Sequence, residues 1–393
     1  MKNFTHCVPT RFVFGRGAEN EAGAQVRDFG GAKALIHYGG GSAVRSGLID
    51  RVRRSLEEAG VASVELGGAQ PNPRDTLVYK GIELARAEGV DFVVAVGGGS
   101  VIDSSKAIAH GACYDGDFWD FFCGKAKPSR TLPFGAVLTM SAAGSESSNS
   151  CVITQEATRT KRGLRTELNR CRFAIMNPEL PMTLPPWQIA CGATDILAHI
   201  MERYFTNETE VDLIDRMAEG AMTAVIRAAR IAVKRPDDYD AQAQLMWAGT
   251  IAHNDTLGVG RTQDWGSHQI EHELSALYDV AHGAGLAVVF PAWMRYHMHK
   301  NVMRFAQFAV RVYGCGMNFE NPAETALRGI EAHEAFLREI GMPLTLKELG
   351  ARPEDIPALA AHTRKTNPDG TTGGVFPMTT EDIEAILRMA DRA

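Results

Sequence analysis

Asp195 and His199 stand four residues apart, and His268 and His282 follow much later in the chain. Residues four apart on a helix share one face, so this carboxylate and this imidazole can converge on a single ion. Three imidazoles and one carboxylate suit a borderline divalent metal, zinc or ferrous iron. A lone Asp or His is more often a satisfied core or surface group; the set as a whole is what points to a metal. His272, one turn after His268, would lie close to the same ion as a ligand, an orienting group or a proton carrier. The other histidines, among them His37, His253, His297 and His333, lack such spacing and read as structural.

A second set works through the backbone. The apolar run 91–96 delivers the chain into Gly97-Gly98-Gly99-Ser100, and 101–110 then has the pattern of a helix. Glycines let a backbone approach a diphosphate closely, Ser100 can cap the helix, and a helix N-terminus offers free N–H groups to anionic oxygens. The turn is not the G-x-G-x-x-G fingerprint, and a plain strand-to-helix turn also favours glycine; the strand context favours a phosphate cradle. Another glycine turn, Gly39-Gly40-Gly41-Ser42, follows the apolar run 34–38. In dinucleotide-binding folds that edge meets the adenosine ribose, where an acid favours a free 2′-hydroxyl. This loop has no acid and Arg45 lies just beyond it, which predicts NADP(H) ahead of NAD(H), with a solvated surface arginine as the plainer reading.

These groups need elements to hold them. Strands are expected at 34–38, 63–66, 92–96, 134–138 and 173–176, with helices at 48–59 and 77–89 between them. Thr183-Leu184-Pro185-Pro186 punctuates the chain, and beyond it the periodicity is helical over 187–205, 210–233, 241–254, 263–277, 286–299 and 323–340. The expected architecture is an α/β, Rossmann-like dinucleotide-binding domain over 1–185, followed by an all-α metal-binding domain over 186–393. A cleft between two such halves is a common place for a ligand. The glycine-rich stretch 369–374 reads as a loop.

Composition narrows the partners. With 45% apolar and 22% charged residues, the 393-residue chain can bury large cores, which sets disorder aside. A net charge of -6 argues against general affinity for nucleic acid or anionic membrane. The N-terminal stretch 1–15 lacks the apolar segment of a secretory signal, and the longest apolar candidate, 286–294, is too short for a bilayer and contains Pro291. Seven scattered cysteines never form a C-x-x-C pair, so a disulfide framework or zinc finger is not expected and a reduced, cytoplasmic setting is. The expected partners are small molecules.

Taken together, Gly97-Gly98-Gly99-Ser100 with Asp103 and Lys106, Gly144-Ser145-Glu146, Asp195 with His199, and His268-x-x-x-His272 ending at His282 resemble the iron-containing (group III) alcohol dehydrogenases. The Gly39-Gly40-Gly41-Ser42 loop and the Gln263-Asp264-Trp265 approach to the first late histidine resemble the butanol dehydrogenase and NADPH-dependent aldehyde reductase branch. The likeness runs over nearly the whole chain and implies a dehydroquinate synthase-like fold and a homodimer. It implies a metal, Fe2+ or Zn2+, held by Asp195, His199, His268 and His282, with His272 near the nicotinamide and the substrate. It further implies Gly98, Gly99, Ser100 and Asp103 around the diphosphate and nicotinamide ribose, Gly40, Ser42 and Asn72 toward the adenosine, and Thr139, Lys161 and Leu184 along the remainder. The chain departs from the family's Thr-Gly-Ser-Glu at Ala143, after Met140-Ser141-Ala142, which removes a hydroxyl near the expected cofactor path.

The implied activity is hydride transfer between NAD(P)H and a small aliphatic aldehyde or primary alcohol, with the metal as Lewis acid and the cofactor carrying the redox chemistry. Asp103 and His272 are the expected catalytic groups, and proton delivery through His272 or through a water and ribose hydroxyl relay stays open. A lyase of the dehydroquinate synthase type would use the same scaffold with transient nicotinamide oxidation; the aspartate-containing ligand set and the lack of a basic cluster weigh against it. A non-catalytic nucleotide-binding metalloprotein would be expected to hold a closed, often cysteine-rich site.

Overall fold

The structure, a computed structural model, describes residues 1–391. They divide into two compact units, one of Cys7–Leu184 and one of Met1–His6 with the chain from Pro185 onward.

In the first unit, six strands form one sheet in the order β1-β8-β5-β4-β2-β3: β1 (Arg11–Phe14), β2 (Lys33–Gly39), β3 (Ala62–Ala69), β4 (Phe92–Gly97), β5 (Phe134–Leu138) and β8 (Phe173–Met176). Every pair in it is parallel. A parallel sheet is covered on both faces, which is why β4, FVVAVG, is apolar without alternation and buried throughout. Ile36, Val94, Val96 and Ile175 share one core with Leu48, Val52 and Leu56 of the helix Leu48–Glu58. The chain steps outward from β2 to β3 and then returns to β4 on the other side of β2, so the winding reverses between β2 and β4. Ligands in open α/β sheets bind outside the carboxyl ends of strands at such a reversal, and both glycine turns leave from those two ends.

Two strand features of this unit are not among the expected strands. One is the edge strand β1; the other is an antiparallel hairpin, β6 (Ser150–Gln155) with β7 (Thr160–Arg165). The N-terminal residues also part from the expected division. Lys2 donates its N–H to the Gly260 carbonyl at 2.8 Å and pairs with Glu208 at 2.7 Å, within the second unit.

That second unit is helical. Its long helices are Pro186–Tyr204, Asp212–Ala232, Tyr239–His253, Gly266–Tyr278, His282–His297, Val302–Tyr313, Pro322–Glu339 and Thr380–Ala390. Pro186 opens the first at a position where proline's missing N–H has no partner to lose, and from Ile189 to Tyr204 the helix is buried all round. The helix Gly266–Tyr278 ends at Asp279, which adopts a left-handed conformation (φ 55°). The next helix then starts at His282 itself, four residues earlier than the apolar pattern indicates, and Val302–Tyr313 is a helix not anticipated from periodicity. Among the described residues no helix is long and apolar enough to cross a membrane.

Candidate functional sites

Asp195 sits in the middle of the Pro186–Tyr204 helix, His268 in the first turn of Gly266–Tyr278, and His282 at the first position of His282–His297. The structure brings one ligand atom from each of these three to within 4.8 Å of the others. His199, one turn after Asp195, stands beside them: its Nδ1 is 3.6 Å from Asp195 Oδ1 and its ring centroid is 4.9 Å from that of His268. His272 groups instead with Glu271 and His282, again within 4.8 Å. Asp195, His199 and His268 are buried.

The donor set fits a divalent metal. His268 Nε2 and His199 Nδ1 are buried with no hydrogen-bond partner, and a buried polar atom left that way costs about 1–3 kcal/mol unless something else binds it. Burial, then the neighbouring His253 and His268, hold His199 well below the usual imidazole range, so its ring is neutral. Neutral imidazoles around a carboxylate are what a borderline cation takes.

Each of two histidines is also held from behind. His268 Nδ1 faces Glu202 Oε1 at 2.7 Å, and His282 Nδ1 faces Glu271 Oε2. Neither glutamate stood out in the chain; the signal was the pair of His-x-x-Glu runs, 199–202 and 268–271. Trp265 adopts φ 68°, a conformation disfavoured for a bulky residue, and its N–H donates to Glu202 Oε2 at 2.7 Å. Its ring lies 5.0 Å from His268 and 5.8 Å from His199, under the Arg203 guanidinium at 4.6 Å. His253, expected to be merely structural, stacks on His199 at 4.1 Å. Trp293, by contrast, is core, packed with Phe205, Phe290 and Phe376.

In the α/β unit, Gly97-Gly98-Gly99-Ser100 joins β4 to the helix Gly99–Ala112. Ser100 lies inside the first turn, so it is not the cap; that position is Gly98, with no side chain to occupy the turn's N–H groups. A Cβ on Gly97 would fall 2.4 Å from Val101 Cγ2, and glycine is what allows strand and helix to meet there. Thr139, just past β5, donates its N–H to the Gly97 carbonyl at 3.1 Å. Asp103 accepts from Ser145 Oγ and from the Val152 N–H at 2.8 Å. Burial raises its carboxyl, opposed first by Lys106, whose own Nζ is 3.7 Å away and donates to Ser145 Oγ at 2.8 Å.

Asn72 and Lys161 meet, since Lys161 Nζ on β7 donates to Asn72 Oδ1 at 3.0 Å. Asn72 is buried with φ 52°. Gly40 is open, and Ser42 begins the single turn Ser42–Arg45 that follows Gly41 (φ 118°). Arg45 folds back so that its Nη1 lies 3.1 Å from where a Gly41 Cβ would be. Leu184 closes the turn Leu180–Thr183, with its N–H on the Pro181 carbonyl at 3.0 Å.

Residues 9–178 match the model described as iron-containing alcohol dehydrogenase, and residues 189–390 match the Fe-containing alcohol dehydrogenase family, C-terminal. The chain belongs to the iron-containing alcohol dehydrogenase family. It is accordingly an oxidoreductase of the alcohol dehydrogenase class, with the expected Rossmann-like and helical parts. It is 38% identical to NADH-dependent butanol dehydrogenase A of Clostridium acetobutylicum over 99% of both chains. It is 36% identical to the NADPH-dependent aldehyde reductase YqhD of Escherichia coli over 91% of this chain and 92% of that one. Among solved structures, NADH-dependent butanol dehydrogenase A from Thermotoga maritima superposes with a TM-score of 0.96 at 40% identity, covering 100% of this chain and 99% of that one.

Proposed function

We propose that this alcohol dehydrogenase interconverts small aliphatic aldehydes and primary alcohols by hydride transfer with a nicotinamide cofactor, NADPH ahead of NADH. The observation that carries the reading is the convergence of Asp195, His268 and His282 to within 4.8 Å, with His199 alongside. A divalent cation, iron or zinc, held by these four residues supplies Lewis-acid chemistry toward a carbonyl oxygen that gains negative charge. The rest falls to the chain. The free N–H groups at the start of Gly99–Ala112 bind the diphosphate, where the helix dipole favours anionic oxygens. Asp103, fixed by Ser145 and Val152, orients the nicotinamide ribose; Asn72 and Lys161, joined to each other, hold the cofactor farther along, with Thr139 and Leu184 completing its path. His272 moves a proton at a ring nitrogen. Arg45, folded over Gly41, meets a 2′-phosphate, while Glu65 on β3 is already engaged by Arg53 and Tyr38. Relatives named as a butanol dehydrogenase and an aldehyde reductase support the substrate class.

The test is removal of metal by chelation and its restoration as Fe2+ or Zn2+, with butanal and NADPH as substrates. Activity should vanish and return. Full activity without metal contradicts the reading, and conversion of a substrate with no net oxidation of NADPH would favour the lyase instead.

A further inference from the structure

We propose that Glu202 and Glu271 are positioning residues for the metal, each fixing the tautomer and orientation of one histidine so that its Nε2 is the nitrogen presented for coordination. The inference rests on the metal reading above and assigns two residues it does not use.

Both carboxylates are fully buried. Glu202 Oε1 receives His268 Nδ1 at 2.7 Å and the Ser267 hydroxyl at 2.6 Å, while Oε2 receives the Trp265 N–H at 2.7 Å. Glu271 receives His282 Nδ1 on Oε2 and the Ser275 hydroxyl on Oε1. With a backbone N–H and a hydroxyl aimed at Glu202 and a hydroxyl aimed at Glu271, these oxygens act as acceptors, so each ring presents an Nδ1–H to its carboxylate. A neutral imidazole protonated at Nδ1 carries its free lone pair on Nε2. His268 Nε2 is the buried atom without a hydrogen-bond partner, and His282 Nε2 lies 3.8 Å from Asp195 Oδ1.

The placement repeats from helix to helix. Glu202 follows His199 by three residues on Pro186–Tyr204 and holds His268; Glu271 follows His268 by three residues on Gly266–Tyr278 and holds His282. Three apart on a helix puts histidine and glutamate on neighbouring positions of one face, so each helix offers a ring and also the carboxylate that fixes the next ring. Gly285 leaves room for this: a Cβ there would fall 2.7 Å from both Cγ and Oε1 of Glu271. Carboxylates behind metal-binding histidines raise ligand basicity and hold the ring, and their loss typically costs roughly 10–100-fold in metal affinity.

The experiment compares metal binding by the full-length apoprotein of the parent, Glu202→Gln and Glu271→Gln, using Co2+ as the probe. Affinity is read by chelator competition and geometry by the visible Co2+ bands. Glutamine keeps the size and one acceptor but not the charge, so each variant should bind Co2+ about 10–100-fold more weakly with shifted bands, in apoprotein that still unfolds cooperatively. Binding and bands equal to the parent's would overturn the inference while leaving the metal reading intact. A parent that binds no Co2+ removes both. Should a variant not fold, the Zn2+-loaded parent with 15N-labelled histidine decides: protonated Nδ1 and metal-bound Nε2 at His268 and His282 are expected, and coordination through Nδ1 at either refutes the proposal.

Discussion

A Cβ on Gly283 would stand 2.0 Å from the carbonyl oxygen of Cys191. Cys191 lies one turn before Asp195 and Gly283 directly follows His282, so this backbone contact sets the spacing of two candidate ligands. Gly283→Ala should push the two helices apart, with a stability loss of about 1–3 kcal/mol. The loss of function should exceed that, with kcat/KM down about tenfold or more and metal content reduced in protein that is still folded. Denaturant melts beside elemental analysis check it, and a folded variant with the parent's metal content would show that this contact does not set the site.

The role proposed for Arg45 places cofactor choice on the loop after β2. Gly40 has nothing within 4 Å of a Cβ position, so Gly40→Asp places a carboxylate there without steric conflict. An acid at this edge pairs with a ribose 2′-hydroxyl and repels a 2′-phosphate. The NADPH-to-NADH ratio of kcat/KM should fall by about tenfold or more, a difference near 1.4 kcal/mol. Steady-state kinetics with one aldehyde and both cofactors measures it. A parent that clearly prefers NADH would contradict the role given to Arg45.

Why some elements were readable and others were not follows from where each signal resides. β4 announces itself because a strand buried on both faces is an unbroken apolar run. β7 does not, since Lys161, Arg162 and Arg165 leave it no apolar alternation, yet it delivers Lys161 to Asn72. The start of the His282–His297 helix is masked by Gly283 and Gly285, each about 1 kcal/mol less favourable than alanine in a helix. Only the packed structure shows that both must be small, one against Cys191 and one against Glu271. Asp195 and His199 were legible because four-residue spacing is a local fact. The stacking of His253 on His199 is not, because it joins two helices. Glu202 and Glu271 fall between: buried glutamate is rare enough to be overlooked, but a histidine three residues before each marks the pattern.

Lys106 is fully buried and donates to Ser145 Oγ at 2.8 Å and to the Ser150 carbonyl at 2.7 Å, beside Asp103. Lys106→Met removes the cation that opposes the burial penalty on Asp103 and leaves that carboxylate to Ser145, the Val152 N–H and Lys161. Weakening a charge that keeps part of its compensation, and leaving the Ser150 carbonyl without this donor, costs about 1–3 kcal/mol. We expect a loss of that order in urea unfolding together with a raised KM for the cofactor. An unchanged KM in folded variant would remove Asp103 and its surroundings from the cofactor site.

His37 makes the α/β unit sensitive to acid. On β2 it faces the Leu66 carbonyl with Nδ1 at 2.8 Å and Ser104 Oγ with Nε2 at 2.9 Å, so Nδ1 donates and Nε2 accepts. Burial lowers its pKa to about 4, only partly offset by the Leu66 hydrogen bond. The folded value thus lies below the 6.5 of an ordinary histidine. Above that pH both states are neutral and the stability is fully present. As pH falls toward 4 the unfolded chain takes up a proton that the folded chain refuses, so stability declines by up to about 1.4 kcal/mol per pH unit, about 3 kcal/mol in all. His37→Gln keeps a donor and an acceptor but does not titrate. Urea midpoints from pH 7 down to pH 4 should therefore fall more shallowly in the variant than in the parent, whatever the variant's stability at pH 7. Parallel slopes would mean that His37 takes up its proton in the folded state as readily as in the unfolded one.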